Sequence, residues 1–131
     1  MVTRRRFLTA LAAAPLMAAL YTWRVEPTWV EYVRLRLPIK GLPEKLEGRL
    51  LVQLSDIHVG AQVDPDYLAG VFKAVTRLQP DIVVYTGDFI SYAGPATIAQ
   101  LRQLSPLLPR GKLGTAAVLG NHDYGKGWRQ Y

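Results

Sequence analysis

Three short apolar runs in this chain each end on a string of acids, amides or histidine. Leu50–Leu54 runs into Ser55-Asp56-Ile57-His58, Ile82–Tyr85 into Thr86-Gly87-Asp88, and Thr115–Leu119 into Gly120-Asn121-His122-Asp123. Asp56 and Asp88 are 32 residues apart, and Asp88 and Asn121 are 33 apart. Each interval is the length of one strand, crossover helix and strand. Such crossovers are right-handed and set successive strands parallel, so the chain is constrained to an α/β fold with three strand ends on one edge. Ligands bind at that edge in open α/β sheets.

The intervals themselves carry helix signals. Asp64-Pro65 supplies an N-cap and a proline at the first helical position, and Leu68, Val71, Phe72, Val75 and Leu78 recur at helical spacing, which predicts a helix over 65–79. A weaker helix is predicted over 97–104, with Ile98, Leu101 and Leu104 inward. The third strand is predicted over 115–119. Upstream, Val33, Leu35 and Leu37 alternate with Arg34 and Arg36 as far as Pro38, the pattern of a strand with one wet face. A turn region rich in Gly and Pro, 41–48, leads into Leu50–Leu54, whose near-continuous apolar character is that of a doubly covered sheet.

The first residues follow a different rule. Arg4, Arg5 and Arg6 precede Phe7–Tyr21, a run rich in Ala and Leu without one charge and broken only by Pro15. This is an export-signal pattern, and Thr3-Arg4-Arg5-Arg6-Phe7-Leu8-Thr9 resembles the twin-arginine type, with Thr9 where Lys is common. The segment 1–23 is expected to be a signal or a retained membrane anchor. The apolar stretch sits at the short edge of what spans about 30 Å of hydrocarbon, and Tyr21 and Trp23 beside Arg24 suit a membrane interface. The chain has sixteen Lys and Arg against ten Asp and Glu, but without residues 1–20 the balance is thirteen to ten. The basicity is local, so no nucleic-acid partner is expected. With no Cys and half its residues apolar, the chain is neither a disulfide scaffold nor disordered.

The strand-end strings carry chemistry. Asp56 and His58, two apart on an extended backbone, would point to one side, and a carboxylate with an imidazole suits Zn, Mn or Fe rather than Ca. Asp88 has two oxygens and can bridge two cations, and Asn121 offers a neutral carbonyl. His122 beside Asp123 reads as a histidine oriented by a carboxylate, able to donate a proton to a phosphoryl oxygen. Singly, each string has a plain explanation: Asp56 capping a loop, His58 solvated, Gly87-Asp88 a turn pair. A purely structural sheet has no need of all three at one edge.

In this order the strings resemble the calcineurin-like metallophosphoesterases, whose signature is Asp-x-His, Gly-Asp, Gly-Asn-His-Asp or Glu, a lone His, then Gly-His-x-His. The resemblance covers about Trp29 to Asp123, and Leu54–Gly60 behind a leader looks like the membrane-associated bacterial branch. It implies that Asp56 and His58 bind a first metal, Asp88 bridges, Asn121 binds a second, and His122 with Asp123 assists at the phosphate. Two divalent ions, Mn, Zn or Fe, would be the cofactors. The implied fold is a four-layer α/β/β/α sandwich, of which this chain would supply the βαβαβ half: a linker and first strand over 24–48, then the N-terminal part of the domain over 49–131. The implied substrate is a phosphomonoester or phosphodiester, with an envelope lipid or nucleotide-linked diacylglucosamine suggested by relatives. No His follows His122, so the last two blocks are absent from these 131 residues. The chain is therefore expected to be an N-terminal portion, exported and held at the outer face of a bacterial membrane, and inactive alone. The alternative is a non-catalytic remnant or metal-binding module.

Overall fold

A computed structural model describes residues 3–24 and 29–124. The chain divides into two units, 1–37 and 38–131. In the first, helix α1 covers Arg4–Arg24 and contains Pro15. Leu11, Leu16, Met17, Leu20, Tyr21 and Trp23 along it are exposed. Among the described residues no helix is long and apolar enough to cross a membrane. The composition gives the reason: Phe7 to Trp23 is seventeen residues, many of them Ala, and arginines flank both ends, whereas a span needs about 20 predominantly apolar residues.

The strand expected over 33–37 belongs to no ladder among the described residues, and Val33, Leu35 and Leu37 are exposed. Alternation states which face of a strand would be apolar. It supplies no neighbour to take up the backbone N–H and C=O groups, and a strand exists only with one.

The second unit is built on strands β1 (Leu51–Leu54), β2 (Ile82–Tyr85) and β3 (Gly114–Ala117), with helices α2 (Pro65–Arg77) and α3 (Pro95–Leu104) in the two connections. The sheet order is β1-β2-β3. Both pairings are parallel, with Leu54 opposite Tyr85 and Tyr85 opposite Ala117, so the three carboxyl ends share one edge as the spacing requires. α2 starts where expected: Asp64 Oδ1 accepts the Asp66 N–H at 2.8 Å, and Pro65 takes the first helical position. It ends two residues early because Gln79 turns left-handed at φ 52° ahead of Pro80, a C-terminal stop. α3 begins at Pro95, two residues before its expected start, and β3 covers 114–117 rather than 115–119, although the Val118 N–H still reaches the Tyr85 carbonyl at 3.0 Å.

Burial alternates along the central strand. Val83 and Tyr85 pack with Leu68 and Phe72 of α2, Leu104 of α3, and Ile57, Val59 and Ile90 from the strand extensions. Tyr85 is 5% exposed and donates its hydroxyl to the Pro109 carbonyl at 2.8 Å; burial pushes its pKa up to about 12. The helices cover one face of the sheet. On the other face and at the β3 edge, Leu51, Val118 and Leu119 are exposed, so the double cover read from the apolar strands is not present among the described residues. At the amino ends of the strands, Asp81 accepts the Leu50 N–H at 3.0 Å and pairs with Arg49 at 3.3 Å. The Leu50 amide, above all, holds its pKa below the usual value; desolvation opposes it, and Arg49 and Lys112 add smaller lowering effects.

Candidate metal centre

Beyond the carboxyl ends of β1 and β2 the ladder continues in irregular backbone. Asp56 N–H donates to the Gly87 carbonyl at 3.1 Å, His58 N–H to that of Asp88 at 2.9 Å, and Val59 N–H to that of Phe89 at 2.8 Å. The backbone is not extended there. Asp56, His58 and Asp88 are left-handed, at φ 53°, 48° and 55°. Asp56 and His58 do share a side, but two successive left-handed kinks bring them together rather than the pleat of a strand. Such conformations cost about 1–3 kcal/mol each and persist where the surroundings enforce them, which is typical of ligand sites.

His58 Nε2 lies 3.7 Å from Asp56 Oδ1 and 3.8 Å from Asp88 Oδ2. These gaps are too long for hydrogen bonds. They are the gaps that one cation, with bonds of about 2.0–2.2 Å, would bridge. His58, Asp88 and His122 offer ligand atoms that all lie within 4.8 Å of one another. The rings of His58 and His122 meet edge to face at 4.8 Å. Mixed imidazole and carboxylate donors fit a Zn, Mn or Fe ion. Asp88 divides its oxygens, since Oδ1 accepts the His122 N–H at 2.9 Å while Oδ2 faces His58.

Two glycines make this approach possible. At Gly87, φ is +107° and an added Cβ would stand 2.5 Å from the Gly120 nitrogen; at Gly120 an added Cβ would overlap the Asp88 carboxylate. Asn121 sits between Gly120 and His122, both against Asp88, and is exposed.

His122 and Asp123 are arranged differently from the sequence reading. The His122 Nδ1 is 2.9 Å from the Ser91 carbonyl. A carbonyl only accepts, so Nδ1 carries the proton and donates it, leaving Nε2 for chemistry. Asp123 does not orient that ring. Its carboxylate accepts the Ile90 N–H at 3.1 Å and the Gly120 N–H at 2.8 Å, tying the β3 loop to the β2 loop. Ser91, which the sequence reading passed over, is the residue that reaches both histidine-bearing loops, since its Oγ also donates to the His58 carbonyl at 3.1 Å. Its one sequence signal is a small polar residue closing the apolar pair Phe89-Ile90. A cleft of about 670 Å³ between α2 and residues 106–110, lined by Lys73, Leu107 and Arg110 among others, contains none of these residues.

A parallel α/β sheet with carboxylates and imidazoles gathered beyond its carboxyl edge defines an α/β domain with a candidate metal site. Comparison with known proteins narrows the class. The family model described as calcineurin-like phosphoesterase matches residues 50–131. The chain is 37% identical over 119 residues to the UDP-2,3-diacylglucosamine pyrophosphatase LpxG of Chlamydia muridarum, covering 89% of this chain and 35% of that protein. It is 38% identical over 92 residues to a transmembrane protein with metallophosphoesterase domain of Danio rerio, covering 70% of this chain and 21% of that one. Against the uncharacterized metallophosphoesterase YkuE of Bacillus subtilis the identity is 32% over 136 residues, 95% of this chain and 46% of that one. The chain belongs to the calcineurin-like phosphoesterase family. It spans between about a fifth and a half of the length of these curated relatives.

Proposed function

We propose that the strand-end cluster binds divalent metal ions and serves metal-dependent hydrolysis of phosphoesters. The observation that carries this reading is the group His58, Asp88 and His122, whose ligand atoms all lie within 4.8 Å of one another, with Asp56 Oδ1 3.7 Å from His58 Nε2. In this reading Asp56, His58 and Asp88 hold one ion, and Asp88 with Asn121 holds a second. Divalent ions supply Lewis acidity and an activated nucleophile. His122, with Nδ1 committed to the Ser91 carbonyl, presents Nε2 to a phosphoryl oxygen. Asp123 acts through the backbone, holding the Gly120–Asp123 turn against the β2 loop.

The likeness to LpxG supports a nucleotide-linked acylated sugar as substrate, cleaved at its pyrophosphate. The arginine-led helix α1 supports export by a pathway that reads paired arginines, followed by residence at the outer face of the membrane. A second reading is a metal-binding module without turnover, in which His58, Asp88 and His122 hold an ion.

Mn²⁺ titration of the purified chain, with an aryl phosphodiester assay alongside, tests both readings. Asp88→Asn is expected to weaken Mn²⁺ binding at least tenfold. Turnover abolished by Asp88→Asn selects the enzyme, and binding without turnover both in this chain and in one extended to the length of its relatives selects the module. Mn²⁺ affinity indifferent to Asp88→Asn would sink both.

A further inference from the structure

We propose that Ser91 is a positioning residue that sets the two histidines of the centre against each other, one through its side chain and one through its main chain. The inference rests on the reading of the centre as a metal site. Ser91 is 7% exposed. Each of its polar groups is committed: N–H to the Val59 carbonyl at 3.1 Å, Oγ–H to the His58 carbonyl at 3.1 Å, and the carbonyl to the His122 Nδ1 proton at 2.9 Å.

His58 sits at φ 48°, a conformation a non-glycine residue leaves unless it is held. Both of its peptide groups are held by the β2 extension, the N–H by the Asp88 carbonyl and the C=O by the Ser91 hydroxyl. Removing the hydroxyl leaves the His58 and Val59 N–H bonds to the Asp88 and Phe89 carbonyls and takes away the one described hold on the His58 carbonyl oxygen. His122 has no comparable side-chain support, because Asp123 is spent on the Ile90 and Gly120 amides. The Ser91 carbonyl alone among the described contacts fixes its tautomer, and with it the edge-to-face meeting of the rings at 4.8 Å. Histidines at metal sites are held in this way, with the remote ring N–H given to a carbonyl so that the other nitrogen is aimed.

The position is also limited in size. An ideal Cβ on Gly60 would stand 3.3 Å from both Cβ and Oγ of Ser91, so the loop after β1 closes over it with little room. Gly60 has no left-handed φ to account for its lack of a side chain. The close approach to Ser91 accounts for it. The site thus wants a residue that is small and still donates, and Ser is both.

The full chain, labelled with ¹⁵N histidine, provides the test in two states. In the metal-free chain at pH 8, His122 is expected in the Nδ1–H tautomer, read from its ring nitrogen shifts; the Nε2–H tautomer would overturn the proposal whether or not metal binds. With Mn²⁺, Ser91→Ala is expected to weaken binding about tenfold after correction for the folded fraction, and in the metal-free variant the Nδ1–H signal of His122 should persist, since its partner is main chain. Wild-type affinity in Ser91→Ala would overturn the side-chain half. Gly60→Ala keeps every donor and displaces Ser91 by a few tenths of an ångström. It is expected to weaken Mn²⁺ in the same direction, and it decides the matter if Ser91→Ala does not fold. A wild-type chain that binds no Mn²⁺ refutes the proposed function, and the tautomer still decides Ser91.

Discussion

The same substitution, Gly→Ala, is expected to have opposite signs at two places in this chain. Gly70 is exposed in the middle of α2, and an added Cβ meets nothing within 4 Å. Alanine there removes backbone freedom from the unfolded chain and should stabilise by about 0.5–1 kcal/mol. At Gly120 the added Cβ stands 2.5 Å from the Asp88 nitrogen and 2.8 Å from its Cγ, and overlaps its carboxylate oxygen. Carbon contacts settle near 3.5–4.0 Å, so the β3 loop must retreat by about 1 Å. That retreat strains or breaks the bond from His122 N–H to Asp88 Oδ1 and the bond from Gly120 N–H to Asp123 Oδ2. Overpacking of this kind costs about 1–3 kcal/mol. Urea unfolding followed by circular dichroism should therefore separate the two variants by about 1 M in midpoint, given a slope near 2 kcal/mol/M. Mn²⁺ affinity should fall in Gly120→Ala and hold in Gly70→Ala. A Gly120→Ala chain that unfolds with or after wild type and binds Mn²⁺ equally would refute the claim that Gly120 exists to admit Asp88.

Tyr85→Phe keeps the ring but leaves the Pro109 carbonyl without its donor, an expected loss of about 1–3 kcal/mol at pH 8. Because the folded pKa of Tyr85 is raised from 10.0 to about 12, the unfolded chain ionises first as pH rises. Its contribution is full below pH 10 and is lost towards pH 12, and urea midpoints across that range should fall less steeply in Tyr85→Phe than in wild type. If the proposed export holds, replacing Arg4 and Arg5 with Lys is expected to stop export of a fused reporter; undiminished export would remove the paired-arginine reading.

What could be read from the sequence was what local chemistry decides. Asp64-Pro65 announces the start of α2, because a cap and a fixed φ act within three residues, and the apolar spacing of Leu68, Phe72 and Val75 marks its buried face. The nearly equal intervals between strand ends gave a parallel sheet, since a crossover helix has a minimum length. The strand expected at 33–37 has no partner among the described residues, because pairing is a distant matter that alternation does not encode. The bond between His122 and Ser91 was illegible for another reason: every residue has a carbonyl, and nothing in a sequence marks which one will face an imidazole. Asp123 misled by adjacency. A carboxylate next to a histidine in sequence suggests a pair, yet in the turn it faces the Ile90 and Gly120 amides. The left-handed backbone at Asp56 and His58 was hidden because, although Asp and His enter that region more often than most residues, only a few per cent of non-glycine residues do, and no sequence pattern marks which ones.

That backbone sets a trap for anyone improving this protein. Asp56 and His58 both sit where φ is positive, so a redesign judged on folding alone would exchange them for Gly or Asn, which enter that region at less cost. The loops would relax and the sheet would stay intact. What would vanish is the reason the loops are bent, so a library screened for melting temperature should drift towards a sturdier and chemically silent fold.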